Sequence, residues 1–410
     1  MLGNWERDDV KVGERFKAEV QEVVFGGAGL VRLGALVVFV EGVAPHEVIL
    51  GEITQLKSDY CRAKVIEFLT KSPRRVEPLC RYFGRCPGCS YQHLDYSLEC
   101  EIKQEQLRHQ LQGVLAAPGN ETVLQTPIGP ADPYHYRNKI VLHVQKRGGE
   151  TLLGYFGRDN TTVIDIESCP LAAPAIDEKL RELRADRGFF HTLHDRMSLT
   201  LRHTAWNGAL YWRNQPPGRL SWLKESLEAG TFAVPAGSFF QVNPAGGQAL
   251  LREVSSWLKR LRVPQLIDAY CGAGVFTVTA ALAGVPEVIG VELDAAAVAA
   301  AEYNLKQFQC ANGRVIAGDA GTWLPELLKQ APAGAVLLVD PPRTGLAARA
   351  VQAVMDSSLR GLLYISCNPA TLYRDLRKLT SAGFRLRTVR LIDMFPRSAH
   401  FEVLTFLSRE

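Results

Sequence analysis

The run Ser366-Cys367-Asn368-Pro369-Ala370 places a thiol at a structural junction. Leu362 to Ile365 before it reads as a short buried strand. Asn368 then reads as a helix N-cap and Pro369 as the first helical residue. The Cys367 thiol therefore stands between a strand's carboxyl end and a helix start, where the positive end of the helix dipole is expected to lower its pKa from about 8.5 toward neutrality. The carboxyl end of a sheet strand is also where α/β enzymes do their chemistry.

Other residues carry compatible chemistry. In Asp340-Pro341-Pro342-Arg343 two prolines fix the chain as it leaves a strand, aiming Asp340 and Arg343 at one place. Glu402 stands among Phe401, Val403 and Leu404. An unpaired acid there is costly, and burial raises its pKa and makes it a better base. Asp268 to Gly274 holds a tight Gly272-x-Gly274 turn between a strand and a helix. Thr277 occupies the place of the third glycine of a dinucleotide fingerprint, which counts against NAD. Glu292 ends the next strand, where an acid grips ribose hydroxyls. Asp319 has two readings, a partner for an adenine amine or a solvated acid. The set suits a nucleoside bearing an amino-acid tail, S-adenosylmethionine.

These residues need a frame. From about 237 onward strands alternate with helices: Leu266 to Ala269, Glu287 to Val291, Arg314 to Ile316, Ala335 to Val339 and Gly361 to Ile365 are the strands. This is the sequence form of a doubly wound, Rossmann-like sheet. Phe384 to Ile392 and Phe401 to Phe406 are joined too closely for a helical crossover and should pair antiparallel. Residues 11–70 read as four or five short strands, enough for a small closed or nearly closed barrel that is either structural or nucleic-acid-binding. Leu98, Ile102, Leu107, Leu111 and Leu115 have helical spacing, and 123–236 is mixed and strand-rich.

At 410 residues two or three domains are expected. No apolar run is long enough to span a membrane, and Met1 to Val10 resembles no signal peptide, so a cytoplasmic protein is expected. The net charge of +4 does not by itself announce nucleic acid. Two basic clusters, one between Lys57 and Arg85 and one comprising Arg374, Arg377, Lys378, Arg385, Arg387, Arg390 and Arg397, read either as solvated faces or as contacts for a polyanion. Nine cysteines cannot all pair internally. Cys80-x5-Cys86-x2-Cys89, with Cys169 or Cys100 as a fourth thiolate, suits zinc or a 4Fe–4S cluster.

Three stretches together resemble the RNA uracil-5-methyltransferases: Asp340 to Gly345, Leu362 to Thr371 and Ile392 to Glu402. The last departs from the family at Arg397, where Gln, His or Tyr is usual. The resemblance implies that Cys367 adds to uracil carbon 6, that carbon 5 takes the methyl group of S-adenosylmethionine, and that Glu402 removes the carbon 5 proton. It implies Gln241, Tyr270, Glu292 and Asp340 as cofactor contacts, beside Gly272, Gly274 and Asp319 from the turn and strand ends. A flipped or single-stranded RNA uridine is then expected. The cysteine spacing resembles the 4Fe–4S cluster of a subset of the family, with Cys80, Cys86, Cys89 and Cys169 as ligands in a structural role. The N-terminal barrel resembles a TRAM domain. Together these imply the bacterial 23S rRNA branch and three segments: 1–72 as an RNA-binding TRAM-like barrel, 73–236 as an iron–sulfur and central domain, and 237–410 as the methyltransferase domain. The helix near 94–115 is expected to pack with that last domain. The rival expectations are the same chemistry on tRNA, or a non-catalytic RNA-binding iron–sulfur protein.

Overall fold

The computed structural model describes residues 10–120, 122–218 and 221–409, so all of the opening segment but Val10 lies outside the described residues. Its contacts divide the chain into two units. One comprises residues 1–106, 156–164 and 395–400; the other comprises 107–155, 165–394 and 401–410. The fold is mixed α/β with several sheets.

The first unit begins with six strands: β1 (Arg15–Glu19), β2 (Glu22–Val23), β3 (Ala28–Leu33), β4 (Leu36–Glu41), β5 (Val48–Leu56) and β6 (Cys61–Thr70). The sheet order is β1-β5-β6-β4-β3-β2. β1 and β2 stand at opposite ends of that order, yet only Val20 and Gln21 separate them in sequence. The sheet therefore curls around a shared core of Phe16, Val20, Val31, Val38, Val40, Ile49 and Ile53. Alternation in β4 and β5 turns every second side chain inward. Gly51 makes room for Phe16, because a Cβ there would lie 2.4 Å from the ring. Helix α1 (Tyr96–Leu115) follows, and Ile102 packs with Tyr91 and Leu94 in this unit.

The second unit takes up the end of α1, with Leu107, Leu111 and Val114 in its core. Its strands and helices begin with β7 (Leu124–Ile128), β8 (Lys139–Arg147) and β9 (Glu150–Phe156), and β10 (Val163–Asp165) follows in the chain. Next come α2 (Pro174–Ala185), α3 (Arg187–His191), β11 (Ser198–Thr204), β12 (Gly208–Arg213), β13 (Trp222–Leu227) and β14 (Gly230–Pro235). β9, β8, β11 and β12 form an antiparallel ladder, and β13 and β14 a hairpin.

The strand–helix alternation then runs α4 (Pro244–Leu261), β15 (Gln265–Ala269), α5 (Val275–Leu282), β16 (Glu287–Glu292), α6 (Ala295–Gln307) and β17 (Gly313–Ala317). It continues with α7 (Ala320–Gln330), β18 (Val336–Val339), α8 (Ala348–Asp356), β19 (Gly361–Ser366), α9 (Pro369–Ser381), β20 (Arg385–Ile392) and β21 (Glu402–Ser408). The large sheet has the order β17-β16-β15-β18-β19-β21-β20-β7. β15 through β19 pair parallel, and β21 pairs antiparallel with both β19 and β20, as their short connection requires. The strand order reverses between β15 and β18, so their following loops diverge and leave a crevice at the carboxyl ends. β7, parallel to β20, is an eighth strand that no sequence pattern announced.

Candidate active site

Cys367 follows the last residue of β19 and is half-buried. Asn368 caps α9, its Oδ1 accepting from the Ala370 amide at 3.1 Å, and Pro369 opens the helix. In the ladder of β19 and β21 Ser366 pairs with Val403. Continuing that register by one residue sets Glu402 across from Cys367. On the other side of β19, Val339 of β18 is the registered partner of Tyr364, which brings Asp340 to the same rim.

The electrostatics of this group correct one expectation. The Cys367 thiol is not lowered toward neutrality but pushed up to about 11. Burial is the main cause, followed by the charges of Glu402 and Asp340, against a smaller opposing pull from Arg343. The Ala370 amide at the helix start is taken by the Asn368 side chain, and two carboxyl groups face the thiol. Glu402, 5% exposed, is raised well above the usual carboxylate range by burial and then by Asp340, with Arg343 opposing. Its Oε2 has no hydrogen-bond partner. Burial raises Asp340 to about 7.

A second buried acid lies below. Asp268 is raised to about 7 by burial, with Asp340 and Glu292 adding to the rise and a bond from Thr277 opposing it. Thr277 Oγ1 donates to its Oδ2 at 2.6 Å, and Oδ1 has no partner. Sequence reasoning missed this acid, although an Asp inside Leu266-Ile267-Asp268-Ala269 was a visible signal. The Thr277 hydroxyl is thus spent on a neighbouring carboxyl.

One pocket gathers Gln241, Tyr270, Gly272 and Asp340 with Phe239, Phe240, Pro244, Ala273 and Phe276. Gln241 Oε1 is buried with no partner, an acceptor that a ligand's ammonium would satisfy. Asn243 caps α4 and its Nδ2 donates to the Met394 carbonyl at 3.0 Å, fixing the chain just after Gln241. Tyr270 and Gly272 both have positive φ, 66° and 55°, and a Cβ on Gly272 would meet nothing within 4 Å. Gly274 does not line this pocket: a Cβ there would lie 2.8 Å from that of Ala301, so this glycine serves close packing of α6.

Glu292 lies at the rim of this loop. Its carboxylate accepts from the amides of Gly272 at 2.9 Å and of Leu293 and Asp294 at 2.8 Å. Asp319 is exposed and caps α7 through the Thr322 amide. An aromatic, acid and amide set around a buried orphan acceptor fits S-adenosylmethionine, and Gln241, Tyr270, Gly272 and Asp340 are the lining residues that could hold it.

Part of each basic cluster is engaged in internal pairs. Arg397 is buried, donates through Nη1 to the Leu94 carbonyl and pairs with Glu99, so it is no surface contact for a polyanion. Arg374 pairs with Asp375 and Arg390 with Glu253. In the first cluster Arg62, Lys64, Arg74 and Arg75 all have carboxylate partners. Among the described residues no three His, Cys, Asp or Glu side chains are grouped to hold a metal ion. Cys80, Cys86 and Cys89 lie on one loop, where Gln92 accepts from the Cys80 amide and donates to Cys89 Sγ at 3.1 Å.

Comparison with known proteins bears on this geometry. Residues 327–410 match the tRNA (uracil-5-)-methyltransferase family. An RNA methyltransferase of Lactiplantibacillus plantarum, itself uncharacterized, is 29% identical over 98% of this chain and 94% of its own. The 23S rRNA (uracil(1939)-C(5))-methyltransferase RlmD of a Marinomonas species is 29% identical over 96% of this chain and 94% of its own. In fold, the chain is similar to the tRNA (uracil-54, C5)-methyltransferase of Pyrococcus abyssi, solved with S-adenosyl-L-homocysteine, at a TM-score of 0.72, 20% identity and coverage of 96% and 100%. Beside the thiol, acid and pocket residues, these matches support the RNA uracil-5-methyltransferase family and indicate an S-adenosylmethionine-dependent RNA methyltransferase.

Proposed function

We propose that this protein methylates carbon 5 of a uridine in 23S rRNA through a covalent adduct on Cys367. The observation that carries the reading is the meeting of Asp340 and Cys367, just past the carboxyl ends of β18 and β19, with Glu402 at the start of the antiparallel β21. Carbon 5 of uracil is a poor nucleophile until a group adds to carbon 6. Cys367, once its proton has passed to solvent, adds there as the thiolate, and the resulting enolate has its electron pair at carbon 5. Bound S-adenosylmethionine supplies an electrophilic methyl group and a positive charge in the pocket that Asp340 lines. Glu402 then takes the carbon 5 proton, and expulsion of the Cys367 thiolate restores the double bond.

The raised pKa values set the conditions for these roles. In the ligand-free site burial and neighbouring carboxyl groups favour the neutral forms of both Cys367 and Glu402. A cation in the adjoining pocket stabilises their charged forms, so thiol and base are activated together when the cofactor site is filled. A low dielectric keeps that interaction strong.

Support for the rRNA target is the likeness to the Marinomonas enzyme along nearly its whole length. The Pyrococcus fold neighbour favours tRNA as the second reading. Methylation assays on separate rRNA and tRNA pools decide: 5-methyluridine in rRNA supports the first, tRNA alone supports the second, and neither refutes both. A 4Fe–4S cluster on Cys80, Cys86, Cys89 and Cys169, a TRAM-like N-terminal barrel that contacts RNA and a cytoplasmic location belong to the same proposal. Four thiols, with an amide donor on Cys89, are donors that suit such a cluster. No step of methyl transfer runs through it. No helix among the described residues is long and apolar enough to cross a membrane.

A further inference from the structure

Arg343 is the cation that acts on both Cys367 and Glu402. What fixes its loop is α9, the helix that begins beside the thiol. Asn368, Thr371 and Asp375 are spaced i, i+3 and i+7 and so share a face of that helix. Asn368 Nδ2 donates to the Arg343 carbonyl at 3.0 Å, and Thr371 Oγ1 donates to the same oxygen at 3.4 Å. Asp375, fully buried, accepts through Oδ2 from the Leu346 amide at 3.0 Å and from the Tyr364 hydroxyl at 2.8 Å. Its Oδ1 accepts from Arg374 Nε at 2.8 Å, and Arg374 Nη2 donates to the Leu346 carbonyl at 3.1 Å. The loop lies so close that a Cβ on Gly345 would sit 2.9 Å from Asp375 Oδ2 and 3.0 Å from Thr371 Cβ.

We propose that Asn368 and Asp375 are positioning residues that lock the Arg343 loop onto the helix following Cys367, so that the guanidinium stays where it offsets Glu402 and Asp340 around the thiol. The inference rests on the reading of Cys367 as the nucleophile. The groups facing the thiol are Glu402 from β21 and Asp340 and Arg343 from the loop after β18. Those meeting Asp375 are Tyr364 from β19, Arg374 of its own helix and the Leu346 amide. Releasing either anchor lets Arg343 swing away, and the two carboxyl groups then act on the thiol without opposition. Both residues act through Arg343, not on the substrate.

The test reads the thiol directly, without RNA or cofactor. The rate of Cys367 alkylation by iodoacetamide is followed by peptide mass spectrometry across a pH series on the full chain. Asn368→Ser keeps a helix-capping oxygen but lacks the donor that reaches Arg343. It is expected to shift the midpoint upward by about one pH unit and slow alkylation about tenfold at fixed pH. Arg343→Gln is expected to do the same, and the double variant to be no slower than Arg343→Gln alone. Asp375→Leu should slow alkylation too, whereas simple loss of a negative charge would speed it. Asp375→Asn keeps an acceptor for Leu346 and Tyr364 and should stay near wild type. A wild-type profile for Asn368→Ser, independent effects in the double variant, or faster alkylation of Asp375→Leu would each overturn the assignment. Because no methylation is measured, failure to methylate any RNA refutes the proposed function and leaves this result standing.

Discussion

Cys367 directly follows Ser366 and Glu402 directly precedes Val403, and Ser366–Val403 is the last registered pair between β19 and β21. A thiol and a carboxyl group are thus set side by side by an antiparallel ladder that is buried along most of its length. Strand register is strongly specified where side chains are buried, so this pairing is fixed by the core rather than by a mobile loop.

The ladder separates two roles that can be removed one at a time. Glu402→Gln keeps the shape but cannot accept the carbon 5 proton. Adduct formation should continue while turnover falls by about 10²–10⁴-fold, so that the RNA–protein adduct accumulates on denaturing gels. Turnover near the wild-type rate would assign the proton to another base.

Gln241 offers a buried acceptor with no partner inside the protein. Gln241→Leu should weaken S-adenosylmethionine binding by about tenfold, the worth of one hydrogen bond to a charged group, measured by calorimetry. Glu292 acts by a different route, through the amides of Gly272, Leu293 and Asp294. Glu292→Ala should weaken binding and also loosen the loop, seen as faster amide exchange at 270–274.

Asp268 links stability to pH. Its folded-state pKa is raised to about 7, while an unfolded Asp titrates near 3.8. Between those values the folded chain holds more protons than the unfolded chain, so this group's contribution falls as pH rises through that window. The melting temperature should be higher at about pH 5.5 than at about pH 8. Asp268→Asn, which retains an acceptor for Thr277, should flatten the dependence. Equal slopes in both proteins would remove Asp268 as its source.

The cysteine spacing makes a claim independent of activity. Protein purified without oxygen should be brown and hold about four iron atoms per chain with matching sulfide. Zinc without iron would contradict the cluster, and Cys169→Ser should lose the metal whereas Cys100→Ser should keep it.

The parallel strands, the antiparallel pair at the end and the Asn368 cap with Pro369 were legible because each rests on local pattern: apolar runs, connection length and capping chemistry. β7 was not legible. Its side chains are only half-buried, and its pairing with β20 spans hundreds of residues of sequence. The thiol's raised pKa was hidden for a similar reason. The helix start is local, but the opposing charges of Glu402 and Asp340 come from other strands. Arg397 read as part of a basic surface, because its partner Glu99 lies in a helix far earlier in the chain. Glu292 and Asp319 were correctly seen as strand-end acids, yet both hold backbone amides, a role that spacing alone does not separate from ligand contact.

The covalent route is tested most directly by incubating the protein with S-adenosylmethionine and rRNA carrying 5-fluorouridine, where the fluorine blocks loss of the carbon 5 substituent. Digestion and mass spectrometry should find a methylated fluorouridine attached to the peptide carrying Cys367, and Cys367→Ala should bind the cofactor yet form no adduct. An adduct on a different cysteine, or methylation of uridine by Cys367→Ala at a wild-type rate, would contradict it.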